Sequence, residues 1–166
     1  MRENVFVIQT SNFRWILGHW VRQMKKRVPG PSLIWWVPIT FSKSNKLNEL
    51  IKKIPLPKSQ NYFFTQPTLF ENYYRRRPDQ FAGRSVVLYT HDDASLGDSY
   101  HQVQILSQCN RVHFMCSIDA ERLVASGLSI AKSRTILGAI DNNCHHDNRV
   151  QREKKSILLS SKYGPR

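Results

Sequence analysis

Residues 85–117 read SVVLYTHDDASLGDSYHQVQILSQCNRVHFMCS. Ser85 to Tyr89 is a clear strand by its apolar, β-branched residues. Thr90-His91-Asp92-Asp93 is the loop after it. Asp98 to Cys109 predicts a helix, Arg111 to Cys116 a second strand, and Ser117-Ile118-Asp119 opens another helix. Strand and helix in alternation predict an α/β fold with a Rossmann-like, doubly wound, mostly parallel sheet.

The same alternation extends upstream. Asn4 to Gln9 reads as a buried parallel strand, followed by Thr10-Ser11-Asn12, a loop of helix-capping side chains. Between Phe13 and Val28 the apolar residues Phe13, Ile16, Leu17, Trp20, Val21, Met24 and Val28 keep helical spacing, and Pro29-Gly30-Pro31 stops that helix. Ser32 to Phe41 predicts a strand, Lys46 to Ile54 a short helix closed by Pro55 and Pro57, and Tyr62-Phe63-Phe64 a third strand. Leu69 to Arg77 predicts a helix ended by Pro78. Downstream, the helix opened at Ser117 ends at Gly127, a C′ glycine, and Thr135-Ile136-Leu137 is a further strand. Residues 141–153 turn polar and lose periodicity, as a linker does. Lys154 to Ser161 resembles the first strand of a second domain that is missing from the 166 residues, with residues 1–140 forming the first domain.

Composition bounds the function. Apolar residues make up 40% and aromatics 11%, which suits a packed core rather than disorder. No apolar run approaches the about 18 residues of a membrane span. The three cysteines, Cys109, Cys116 and Cys144, form no even framework and fit reduced thiols in a cytoplasmic setting. The net charge of +13 is unevenly placed: residues 1–77 carry 14 basic and 3 acidic residues, and residues 78–140 carry 5 and 6. A field of that sign attracts nucleic acid, acidic lipid headgroups or phosphorylated small molecules.

In a parallel doubly wound sheet, ligands bind at the carboxyl ends of the strands. That directs attention to residues 10–14, 38–40, 65–67, 91–93 and 117–119. No GxGxxG or P-loop motif and no GxSxG elbow is present. Cys144-His145-His146 lacks the spacing of a zinc site, so no metal is expected. Cys109 and Cys116 are expected to pack in the core.

Two stretches carry a resemblance. Ser85 to Asp93 looks like the strand and His-Asp loop of retaining glycosyltransferases of the GT-B fold. From Cys109 to Asp141, a strand leading to Ser117, a helix closed by Gly127 and a strand leading to Gly138 and Asp141 follow that family's order. Ile157 to Arg166 resembles the start of its second domain. Lys162 stands where a phosphate-binding Arg usually stands, and Ser161 replaces a Gly. The first loop also departs from the family, with Thr10-Ser11-Asn12 where Gly-Gly is common. The chain thus resembles the N-terminal, acceptor-side half of a glycosyltransferase of the group 1 type.

The resemblance implies a transferase that moves a sugar from a nucleotide-sugar donor to a glycan or lipid-linked acceptor, with no further cofactor. It implies a catalytic His91, acceptor contacts from Thr10, Ser11, Asn12, Asp92, Asp93 and Ser117, and donor-phosphate contacts from Lys162 and Arg166. Read from the residues alone, His91 is either a group that hydrogen-bonds a sugar hydroxyl or a surface histidine. Asp92 and Asp93 are either acceptor ligands or acids that cap the next helix. Thr10, Ser11 and Asn12 either hold an anion at a helix N-terminus or only cap it. Lys162 and Arg166 are either phosphate ligands or a solvated basic end.

The basic face of residues 14–27, with Trp15 and Trp20, would suit docking to an anionic membrane surface at the inner face. The rival class is a basic α/β module that binds nucleic acid, for which Tyr73-Tyr74-Arg75-Arg76-Arg77 is the best feature. The sequence favours it less, because no RNA-recognition, KH or helix-turn-helix signature is present.

Overall fold

A computed structural model describes residues 2–10, 16–38, 53–89 and 97–136. The chain order is β1 (Arg2–Thr10), α1 (Ile16–Arg27), β2 (Ser32–Pro38), β3 (Ser59–Phe64), α2 (Pro67–Tyr74), α3 (Pro78–Phe81), β4 (Ser85–Tyr89), α4 (Ser99–Leu106), β5 (Arg111–Phe114), α5 (Ser117–Ala125) and β6 (Ser133–Thr135). The six strands form one sheet in the order β2-β1-β3-β4-β5-β6, and every pairing is parallel. This is the Rossmann-like doubly wound α/β fold expected from the alternation.

Two cores flank the sheet because alternate residues of each strand face opposite sides. On one face Val5, Val7, Tyr62, Phe64, Val87, Tyr89, Val112 and Phe114 meet Leu69, Phe70 and Tyr73 of α2, Ile105 and Leu106 of α4, and Leu123 of α5. On the other, Phe6 and Ile8 meet Val21 of α1, with Met24, Val28, Ile34 and Phe63 packed around them. The face each helix takes follows from handedness. Right-handed crossovers put α1 on one side when the chain steps from β1 out to β2. They put α2, α4 and α5 on the other side when it steps the opposite way from β3 to β6.

Local chemistry fixes the turns. Asn4 is buried, donates through Nδ2 to the Pro29 oxygen (2.8 Å) and accepts from Asn61 Nδ2 (3.1 Å), tying β1 to the α1–β2 turn and to β3. Gly127 sits at φ +111°, the left-handed region open to glycine. Its N–H reaches the Val124 oxygen (3.0 Å) and the Leu128 N–H reaches the Leu123 oxygen (2.9 Å), with both leucines in the core. That is the Schellman closure expected of a C′ glycine.

Several boundaries differ from the sequence reading. Pro78 does not end the helical region but starts the four-residue α3, because proline suits the first turn, where its missing N–H costs nothing. Pro67 likewise starts α2 two residues before Leu69. The strand from Arg111 stops at Phe114 and the last strand at Thr135, each short of its expected end, while residues 39–41 of the expected second strand lie outside the described residues. Cys109 is buried as expected, but Cys116 is exposed: with β5 ended, it lies outside the sheet at the N-cap of α5. The linker, the strand over 154–161, and all but the last two residues of the helix over 46–54 lie outside the described residues. Among the described residues no helix is long and apolar enough to cross a membrane.

Phe64 is 1% exposed, and its ring lies 5.4 Å from Phe70 and 5.8 Å from Phe81. Phe64→Ala is expected to cost about 3–5 kcal/mol in urea unfolding, the range for a buried aromatic that leaves a cavity. His113 lies on the opposite face of β5 beside Arg134 of β6. Burial, and then the charges of Arg111 and Arg134, hold its imidazole below the usual histidine range. The unfolded chain therefore takes up this proton first as pH falls below about 6.5, so stability drops from there downward. His113→Gln should lose less stability than wild type between neutral and mildly acidic pH in parallel thermal melts.

Candidate functional site

At the carboxyl edge of the sheet, β1 and β3 are neighbours although the chain visits β2 between them. The chain leaves β1 in one direction and β3 in the other, which opens a crevice where the winding reverses. Thr65 seals the seam there: its N–H (3.1 Å) and Oγ1 (3.4 Å) both donate to the Val7 oxygen, and the side chain is 5% exposed.

Tyr89 ends β4 and anchors a buried polar network. Its hydroxyl donates to Gln102 Oε1 (2.8 Å) and accepts from Arg122 Nη2 (3.0 Å). Arg122 Nη1 also donates to Ser99 Oγ (3.0 Å), and Gln102 Nε2 donates to the Gly97 oxygen (2.9 Å). Asp98 caps α4 by accepting from the His101 N–H (2.9 Å). The end of β4, the start of α4 and the middle of α5 are thus joined, and Tyr89 and Gly97, the described flanks of residues 90–96, are both held. No single residue of this network stands out in the sequence; Tyr89 and Gln102 are 13 positions apart and meet only in the fold.

A second cluster joins α2 to α4. Glu71 Oε1 lies 3.0 Å from His101 Nε2 and accepts from Arg75 Nε at 2.8 Å. The Glu71 side chain is 15% exposed, and both partners already engage it. The carboxylate works as a tie between helices.

The sequence-derived site residues divide by position. Thr10 is the last residue of β1, paired in register with Pro38. Ser117 is the exposed first residue of α5, directly beyond β5. Ser11, Asn12, His91, Asp92, Asp93, Lys162 and Arg166 lie outside the described residues, as do Cys144, His145 and His146. Among the described residues no group of three His, Cys, Asp or Glu side chains could hold a metal ion. Four large apolar side chains are exposed at this edge: Trp36, Tyr100, Ile118 and Ile136. The α2 and α5 N-termini have no side-chain cap, whereas α4 has one.

Tyr89→Phe removes the hydroxyl and leaves Gln102 and Arg122 short of a buried partner. The expected loss is about 1–3 kcal/mol, read by urea unfolding at neutral pH. Compared with known proteins, the chain matches no protein-family model, no curated protein and no solved structure.

Proposed function

We propose that this chain is the acceptor-side half of a retaining GT-B glycosyltransferase, working at the carboxyl edge of its sheet. One observation carries the reading. The strands that lead into residues 10–12, 91–93 and 117 are β1, β4 and β5, and all three end on the same edge. From β1 to β5 is three strand spacings, about 14 Å, a width over which one sugar acceptor can touch all three segments. The exposed Trp36, Tyr100, Ile118 and Ile136 along that edge give the kind of apolar rim on which a sugar ring or a facing domain packs.

In this reading His91 hydrogen-bonds the transferring sugar and offsets charge that develops at its ring as the glycosidic bond breaks. Thr10, Ser11, Asn12, Asp92, Asp93 and Ser117 orient the acceptor. Lys162 and Arg166 begin the wall that holds the donor's diphosphate. The Tyr89–Gln102–Arg122 network keeps both flanks of the His91 segment in fixed positions, the kind of support a catalytic loop needs.

The test is turnover of a panel of nucleoside-diphosphate sugars by a chain extended through a second domain. Nucleotide release is expected from one of them, reduced about 10²–10³-fold in His91→Ala. The 166 residues alone should release none, because the cleft needs both walls. No turnover of any donor by the longer chain, or an unchanged rate in His91→Ala, would sink the reading.

A further inference from the structure

The opposite edge of the sheet carries a second feature. Helices between parallel strands run back against them, so helix C-termini and strand starts share the amino edge. A groove of about 820 Å³ opens there, beside the starts of β3 and β4. Lys58, Arg76, Arg77 and Arg84 line it, and Asp79 is the one acid among its described lining residues.

Helix chemistry accounts for only half of this set. Cations favour helix C-termini, which explains Lys25, Lys26 and Arg27 in the last turn of α1 and the arginines after α2. Lys58 follows no described helix end closely and precedes β3. Arg84 follows only the single turn of α3 and precedes β4. Both are exposed, and the groove brings them together with Arg76 and Arg77 although the chain spreads them over residues 58–84.

The groove's wall is well fixed. The Tyr62 hydroxyl donates to the Pro57 oxygen (3.0 Å) and accepts from the Ser59 N–H (2.8 Å) and Gln80 Nε2 (2.9 Å). Gln80 Nε2 also reaches the Leu56 oxygen (3.1 Å). The segment carrying Lys58 is therefore locked to the segment carrying Arg77 and Arg84.

We infer that this groove binds the phosphodiester backbone of a single-stranded nucleic acid. A groove lined by four exposed cations matches a flexible polyanion that can follow it. The proposal stands apart from the transferase reading, since it uses the other edge of the sheet and none of its residues.

The experiment measures binding of the 166-residue chain to labelled thymidylate and uridylate strands of about 20 nucleotides over a salt series. Four phosphate contacts predict a slope of about −3 in log K against log salt. Neutralising Lys58, Arg77 and Arg84 together, each to Gln, should flatten that slope by about 2 and weaken binding more than tenfold. Neutralising Lys25, Lys26 and Arg27 on α1 in the same way should leave it close to wild type. Circular dichroism checks both variants. If the groove variant fails to fold, Arg77→Gln alone, at an exposed position, should still flatten the slope by about 0.7. Binding of either strand with this pattern supports the groove, and the tighter one names the source. Equal losses in the two triple variants would mean attraction by diffuse charge and would overturn the proposal. So would attachment to phosphatidylglycerol vesicles, lost in the groove variant, with no binding of either strand.

Discussion

The peptide oxygen of Val7 accepts both the N–H and the hydroxyl of Thr65, and this small contact marks the seam on which the architecture turns. β1 and β3 must lie side by side although α1 and β2 lie between them in the chain. Phe6 stacks on Phe63 at 4.7 Å on one face of the seam, and Val5, Val7, Tyr62 and Phe64 share the core on the other. Asn4 and Asn61 close its amino end. With β1 held between β2 and β3, right-handed crossovers dictate which face each helix covers, and the crevice at the carboxyl edge follows.

The two edges then differ in chemistry because they differ in what ends there. Strand ends and helix starts meet at the carboxyl edge, with uncapped α2 and α5, the held flanks of residues 90–96, and exposed aromatic and aliphatic side chains. Helix ends and strand starts meet at the amino edge, where Lys58, Arg76, Arg77 and Arg84 line one groove.

Much of the fold was legible from the residues. The apolar run at 4–8 is buried on both faces, and the run at 85–89 is buried on one face and half-buried on the other. Gly127 was legible as a C′ glycine because only a residue free to take positive φ closes a helix in that way. One proline misled: Pro78 looks like a stop, yet proline is well tolerated in a first turn. Cys116 misled for a related reason. Continued strand alternation would place it with Val112 and Phe114 in the core, and the early end of β5 removes it. For the site, the sequence pointed to the carboxyl edge through Thr10 and Ser117 but gave no sign of the Tyr89–Gln102–Arg122 network. Contacts between side chains on three separate elements exist only once the strand order is known. The groove was half legible: Arg75-Arg76-Arg77 is conspicuous, but Lys58 and Arg84 join it only through the pairing of β3 with β4.

The order of the strands around β1 is what the crevice at the carboxyl edge rests on. The direct measurement is the set of cross-strand proton contacts of β1 by nuclear magnetic resonance on isotope-labelled chain. The account predicts that β1 contacts two parallel neighbours, with Val5 opposite Leu33 on one side and opposite Tyr62 on the other. A β1 found at the edge of the sheet, or a β2 paired directly with β3, would contradict it and remove the crevice.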